Sequence, residues 1–147
     1  MKREVILPFE EDEDKKRSEE EVEVINEIKR IDILLSRFEK VLDNLTQEGL
    51  PEEEAQEVLR ELRYIASGKE NLVSRIRRQI QNLYKRYYER YRENAITTID
   101  EQGFCQACFV KVTPKQFVEI KVGKRLVFCE HCGRILIWGY EREEESD

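Results

Sequence analysis

Four cysteines near the C-terminal end of the sequence are spaced to hold one metal ion. They form two pairs, Cys105 with Cys108 and Cys129 with Cys132, and each pair has two residues between its members. A Cys-x2-Cys turn presents two thiolates to the same ion, and four thiolates complete the tetrahedral coordination that zinc prefers. The spacing of the pairs is that of a zinc ribbon. The sequence therefore predicts one structural Zn²⁺ held by these four residues.

Other uses of the cysteines are two disulfides, a redox-active pair and an iron–sulfur site. Disulfides conflict with the cytoplasmic location that we expect from the lack of a recognisable signal peptide or membrane-spanning run, because thiols in the cytoplasm stay reduced. A redox pair lacks its usual βαβ context, whereas spacing alone does not exclude iron. The only histidine, His131, lies inside the second pair and is expected on the surface, since four thiolates leave no vacant position. With no other catalytic set in the sequence, we expect a non-enzymatic protein.

Composition narrows the class of protein further. Of 147 residues, 39% are charged and 39% are hydrophobic, with a formal net charge of −6. No apolar run approaches the roughly 18 residues of a membrane-spanning helix, so we expect a cytoplasmic protein. The net acidity argues against a general nucleic-acid coat, so any nucleic-acid binding must be local.

The cysteines lie in a segment whose pattern predicts a small β module, residues 103–140. Residues 116–122 alternate in polarity as a strand does, residues 125–128 read as a returning strand, and residues 134–138 read as a third. So short a module cannot bury enough apolar surface to fold without the metal. An acidic tail, residues 141–147, follows it.

Residues 18–98 are predicted to form an antiparallel coiled-coil helical hairpin, preceded by an acidic, flexible segment at residues 1–17. Gly49 and Pro51 mark the turn. The first helix carries heptad apolar positions at Val24, Ile28, Ile31, Leu35, Phe38, Leu42 and Leu45. The second carries them at Ala55, Leu59, Leu62, Ala66, Val73, Ile76, Ile80, Leu83 and Tyr87, interrupted only by Lys69. The fold class is therefore mainly α, a helical hairpin followed by a C-terminal zinc ribbon.

The end of the second apolar seam has no counterpart in this hairpin. Its register places it against residues 10–20, which are almost entirely charged. The ribbon, a second subunit in a homodimer, or the N-terminal residues 5–9 must cover it. The partner-binding candidates are Ile80, Leu83, Tyr84, Tyr87, Tyr88 and Tyr91.

The same region is strongly basic. Residues 74–92 hold seven Lys or Arg against one acid, Glu89. Basic side chains beside aromatic rings suit phosphate contacts and base stacking. The nucleic-acid-binding candidates are Arg75, Arg78, Lys85, Arg86, Arg90 and Arg92, with Lys121, Lys124 and Arg125 of the ribbon. The alternatives are a solvated helix face, or pairing with the acidic residues 10–23, which carry nine acids against three bases.

The cysteine module resembles a known domain. Gly-x-Cys-x2-Cys at residues 103–108, Pro-x-Gln at 114–116 and Cys-Gly-Arg-Ile-Leu at 132–136 are similar to the C4-type zinc ribbon that ends a family of bacterial coiled-coil proteins. That family is linked to flagellar biogenesis and type III secretion. The resemblance implies a helical hairpin before the ribbon, and a role as an adaptor or chaperone for nucleic acid, the sigma-54 factor or secretion components. This hairpin is shorter than is usual for the family, and Lys115 stands where the family has a second proline.

A second resemblance is to the DksA/TraR proteins, which also join a coiled-coil hairpin to a four-cysteine zinc module. It implies a regulator that enters the secondary channel of RNA polymerase, with Asp43 and Glu48 near the hairpin tip as its acidic residues. The spacing of the cysteine pairs fits this family less well. A protein scaffold or chaperone that binds no nucleic acid is a further alternative.

Overall fold

The computed structural model describes residues 8–139, with side chains from residue 14 onwards. The helices are α1 (Pro8–Gln47), α2 (Glu52–Val73), α3 (Arg78–Tyr91), a 3-10 turn (Arg92–Asn94) and α4 (Pro114–Val122). The strands are β1 (Ile96–Ile99), β2 (Val127–Phe128) and β3 (Ile135–Trp138). The predicted fold class, a mainly helical chain with a small β module, is confirmed. Among the described residues no helix is long and apolar enough to cross a membrane.

The chain divides into two compact units. Residues 24–95 form one, called here the helical unit. In the other, residues 96–139 are called the ribbon, and the first turns of α1 belong with it. Residues 8–17, the described part of the segment that was predicted to be acidic and flexible, belong to α1. Residues 1–7 and the predicted tail at 141–147 lie outside the described residues.

Helices α1 and α2 form the predicted antiparallel hairpin. Leu35 and Leu42 of α1 pack with Leu62 of α2 in one buried cluster. Gly49, at φ 106°, makes the turn between them, in a conformation that glycine adopts at little cost. Two positions of the predicted seam face solvent instead, since Phe38 is 47% exposed and Leu45 41%. The core of the hairpin is therefore narrower than the heptad pattern predicted.

The second predicted helix is broken, which corrects the hairpin description. Residues 74–77 leave the helix, and α3 begins at Arg78. The side-chain amide of Gln81 donates to the carbonyl oxygen of Ile76 at 2.7 Å, which satisfies a backbone acceptor in the break. The break lets α3 pack beside α1, where the Tyr84 hydroxyl donates to Asp32. The apolar end of the seam is thus covered by α1 of the same chain.

A three-stranded sheet forms the centre of the ribbon. Its order is β1-β3-β2, with β1 parallel and β2 antiparallel to β3. The isoleucines Ile96, Ile99 and Ile135 are almost completely buried. Strand β1 was not predicted, so the module begins at Ile96, before the expected boundary at Gly103. Strands β2 and β3 confirm the two later strand predictions with slightly shorter bounds.

The segment predicted as the first strand of the module is helix α4. Thr113 accepts a hydrogen bond from the Gln116 amide, and the Gln116 side chain accepts one from Thr113, which together make a capping box. Pro114 occupies the first turn, and Gly123 ends the helix at φ 79°. The alternation of polarity in residues 116–122 was therefore a weaker signal than these caps. The side chain of Ile120 on α4 is buried in the ribbon core.

Candidate metal centre and basic surface

The first cysteine pair lies in a tight turn that two backbone hydrogen bonds define. The Phe109 N–H donates to the Cys105 carbonyl oxygen at 2.7 Å, and the Cys105 N–H donates to Val110 at 3.0 Å. The Ala107 N–H also points at the Cys105 sulfur, 3.4 Å away. This first knuckle, residues 105–110, aims the sulfurs of Cys105 and Cys108 to the same side.

The second knuckle, residues 129–134, repeats this design. The Gly133 N–H donates to the Cys129 carbonyl oxygen at 2.8 Å, and the Cys129 N–H donates to Arg134 at 2.9 Å. The Cys132 N–H points at the Cys129 sulfur at 3.4 Å. Amide dipoles directed at sulfur favour the thiolate form, the form that binds metal.

The two knuckles bring all four sulfurs together. The Sγ atoms of Cys105 and Cys132 are 3.8 Å apart, and those of Cys108 and Cys129 are 3.5 Å apart. All four lie within 4.8 Å of one another. A tetrahedron with Zn–S bonds of about 2.3 Å has sulfur–sulfur edges of about 3.8 Å. The donor set and its dimensions therefore fit one structural Zn²⁺, as predicted.

The thiols influence one another's ionisation. Burial raises the pKa of Cys108, and it raises that of Cys132 to about 12. Burial acts in the same direction on Cys129, but hydrogen bonds from the backbone N–H groups of Cys132 and His131 outweigh it and lower that pKa to about 7. The Cys129 thiolate therefore forms readily, and the positive charge of a divalent metal favours ionisation of Cys108 and Cys132.

The centre has the composition of a structural site. Four sulfur donors fill a tetrahedral shell, whereas catalytic zinc keeps one position for water or substrate. The side chain of His131 is exposed, as predicted. It borders a pocket of about 180 Å³ beside the knuckles, whose lining includes Val110, Lys111, Gln116 and Glu130.

The basic candidates of residues 74–92 all lie on the surface. On α3, Arg78, Lys85, Arg86 and Arg90 are exposed, while Ile80 on the opposite side is buried. The remaining two candidates, outside α3, are exposed as well: Arg75 and Arg92.

The ribbon candidates are also exposed but are used differently. Arg125 forms two hydrogen bonds to the carboxylate of Glu119, at 3.0 and 3.1 Å, so its charge is largely compensated. The Lys121 ammonium lies 5.7 Å from the centroid of the Trp138 ring. Lys124 is exposed.

The predicted partner-binding residues mostly pack inside the helical unit. Ile80 and Tyr84 are buried, the latter to 2% exposure, so neither is available to a partner. The Tyr88 ring is covered by the Lys69 ammonium at 3.5 Å and by the Arg92 guanidinium at 5.4 Å from its centroid. The other three are only partly exposed: Leu83, Tyr87 and Tyr91. The tyrosine stripe therefore stabilises the helices and does not form an open stacking surface.

Lys69, which interrupts the predicted seam, has a structural role that the sequence analysis did not predict. Its ammonium lies 3.0 Å from an oxygen of Asp32, and both side chains are buried. The other Asp32 oxygen accepts from the Tyr84 hydroxyl at 2.7 Å. Burial raises the pKa of Asp32, opposed by the hydrogen bond from Tyr84 and the charge of Lys69. A charged residue at an otherwise apolar position of the seam was the available signal.

A second polar contact links α1 to the turn after α3. The Lys29 ammonium donates to the Glu93 carbonyl oxygen, and the Ser36 hydroxyl donates to the Glu93 carboxylate at 3.0 Å. The pKa of Glu93 is lowered, chiefly by its own backbone N–H and also by Ser36. At the other end of the hairpin, Asp43 and Glu48 are exposed, as a role at the tip would require.

The comparison with protein families agrees with this metal centre. Residues 105–136 match the family model of the C4-type zinc ribbon domain. The structure of the HP0958 protein from Helicobacter pylori is similar at a TM-score of 0.52 with 29% identity, over 66% of this chain. This chain spans only 40% of that protein's chain. CT398 from Chlamydia trachomatis gives a TM-score of 0.45 with 18% identity, over 88% of this chain and 78% of its own. No curated protein matches the chain.

Proposed function

We propose that this protein is a non-enzymatic, cytoplasmic zinc-ribbon adaptor that binds nucleic acid through the basic face of α3. The observation that carries the proposal is the division of α3 into two faces. Ile80 and Tyr84 pack inward, while Arg78, Lys85 and Arg86 project to solvent. A helix whose inner face is already packed is free to present its outer face to a ligand.

Charge supports an anionic ligand. The chain as a whole carries −6, yet residues 74–92 hold seven bases against one acid. Phosphates attract such a cluster because binding releases condensed counterions. Arg75 extends the cluster into the break before α3, and Arg92 extends it beyond the helix end.

The structural zinc fits an adaptor better than a catalyst. A full shell of four thiolates holds a fold together and offers no site for an activated water. The resemblance to bacterial coiled-coil zinc-ribbon proteins supports a transcription or secretion component as the protein partner. The family match at residues 105–136 covers the ribbon alone and does not identify a partner.

A protein scaffold that binds no nucleic acid is the second candidate. It is favoured by an apolar stripe on the solvent side of α1, formed by Leu34, Phe38, Val41 and Leu45, all of which are exposed. Their spacing of four, three and four residues is that of a helix–helix contact surface. A second copy of this chain, as in the homodimer considered from the sequence, would offer the same stripe in return.

A salt titration of nucleic-acid affinity tests the first proposal against the second. Single-stranded and duplex oligonucleotides are titrated with the zinc-loaded protein over a range of salt concentrations. We expect log K to fall linearly with log salt. Neutralising Arg78, Lys85 and Arg86 together with glutamine should flatten the slope by about 0.7 per lost phosphate contact on single strands and about 0.9 on duplex.

The matched control neutralises three exposed bases elsewhere in the helical unit, Arg37, Arg60 and Arg63, with the same substitution. This variant changes the net charge equally and should leave the slope close to that of the wild type. Absence of binding at low salt would refute the nucleic-acid proposal and select the scaffold. Equal losses in the two variants would mean that net charge, and not the α3 face, governs binding.

A further inference from the structure

The two zinc knuckles have the same pattern of backbone hydrogen bonds but differ in residue type at one position. In each, the residue after the second cysteine adopts a left-handed conformation, at φ 80° for Gly133 and φ 64° for Phe109. Glycine reaches this conformation freely, whereas a side chain with a Cβ is strained there. The first knuckle therefore carries a strain that the second avoids with the same hydrogen-bonding pattern.

Burial of the Phe109 ring does not offset this strain. Phe109 is 68% exposed, and the next residue, Val110, is also exposed. A ring that remains largely in water gains little of the stabilisation that a buried phenylalanine provides. Strain at a special backbone conformation persists where the surrounding structure imposes it, and it concentrates at functional sites. The Phe109 ring is thus exposed to solvent, and the backbone strain lowers the stability of the ribbon.

The residue that follows Phe109 borders a recess. Val110 lines the pocket together with Lys111, Gln116, Glu130 and His131. The Gln116 amide lies 3.3 Å from a carboxylate oxygen of Glu130, so donors and acceptors line the pocket wall. Lys111 is exposed and can reach a phosphate. An aromatic face, a polar recess and a nearby cation are the three parts that hold an unpaired nucleotide.

A protein surface fits this site less well. Stable protein interfaces bury more than about 1,000 Å² around several apolar residues. Here Phe109 and Val110 are only two adjacent apolar side chains, and Val110 shares its pocket with the exposed polar residues Lys111, Glu130 and His131. One ring face is enough for one base.

We propose that Phe109 is a stacking residue for an unpaired base of single-stranded nucleic acid, with Lys111 contacting a neighbouring phosphate. This inference rests on the proposed function and names its ligand class, since the tyrosines of α3 are buried or only partly exposed and Phe109 is largely exposed. Stacking of a base on an aromatic side chain changes affinity about 5- to 150-fold.

The test compares affinities for a single-stranded oligouridine and for a duplex of equal length, at one low salt concentration, with zinc-loaded protein. Phe109→Gly should weaken single-strand binding about 5- to 150-fold and leave duplex binding unchanged. Its melting temperature should equal or exceed that of the wild type, because glycine relieves the strain. Loss of affinity without loss of stability is the result that a merely structural phenylalanine would not give.

Two further variants complete the test. Phe109→Tyr keeps an aromatic face and should bind single strands as the wild type does. Tyr64→Ala is the matched control, because Tyr64 is 80% exposed on α2 without lying on the ribbon, and it should change neither affinity.

The outcomes separate this inference from the function it rests on. If Phe109→Gly binds single strands as the wild type does, stacking is overturned, while steep salt dependence of the wild type leaves the α3 proposal standing. An equal loss on duplex would also overturn stacking. If the wild type binds neither ligand, both proposals fall.

Discussion

The helical unit and the ribbon are stabilised by different means. In the helical unit, Leu35, Leu42 and Leu62 supply apolar packing, and the chain itself provides both partners of the buried ion pair between Asp32 and Lys69. In the ribbon, the buried residues surround four thiols that repel one another as they ionise. The helical unit is therefore stabilised by side chains of its own sequence, whereas the ribbon also needs a metal ion.

Removal of zinc should give the largest difference between the two units. Structural zinc is worth about 10 to 16 kcal/mol in zinc-finger peptides, more than a ribbon this small can replace. Chelation should abolish the near-ultraviolet signal of Trp138, the only tryptophan, while most of the helical far-ultraviolet signal remains. Circular dichroism at both wavelengths during a chelator titration measures this. Simultaneous loss of both signals would show that the units do not differ in this way.

Breaking the buried ion pair should affect the other unit. Asp32→Leu leaves the Lys69 charge buried without its carboxylate, which costs about 3 to 5 kcal/mol. The double variant Asp32→Leu with Lys69→Met removes both charges and should recover most of that loss. Urea unfolding followed by helical ellipticity measures the stability, and zinc content by mass spectrometry should stay at one ion. A double variant as unstable as the single one would contradict the account of the pair.

Removing the Tyr84 hydroxyl should have a smaller effect that depends on pH. Burial, with the charge of Asp32, raises the pKa of Tyr84 above its ordinary value near 10. A group whose pKa is raised by folding contributes stability below its unfolded pKa, and this contribution is lost as pH rises past that value. Tyr84→Phe should therefore cost about 1 to 3 kcal/mol near neutral pH. The difference in melting temperature from the wild type should narrow above pH 10, and a constant difference from pH 8 to 11 would contradict it.

The metal site was predictable because it depends on local spacing. A Cys-x2-Cys turn fixes its own geometry, so the two pairs in the sequence predicted the four sulfurs that the structure brings together. The hairpin followed from heptad periodicity and the glycine turn in the same way. Helix α4 was also readable, since Thr113, Pro114, Gln116 and Gly123 are cap residues at their proper positions. The prediction gave alternation too much weight.

The break before α3 could not be read from local sequence. Residues 74–77 contain no glycine or proline, and the heptad pattern continues through them. The break accompanies a contact between residues far apart in sequence, the hydrogen bond from Tyr84 to Asp32. Strand β1 depends in the same way on β3, although its four residues are all β-branched and favour a strand.

The position of β3 has a consequence for synthesis of the protein. Within residues 8–139 this strand is the last element, yet it lies at the centre of the sheet, hydrogen-bonded to β1 on one side and β2 on the other. Neither neighbour has its partner until the ribosome has released residues 135–138. Helices α1 and α2 are adjacent in sequence and can pair while translation continues. The nascent chain should therefore emerge with a formed hairpin, and the sheet beside the four thiols should close only after β3 has followed them.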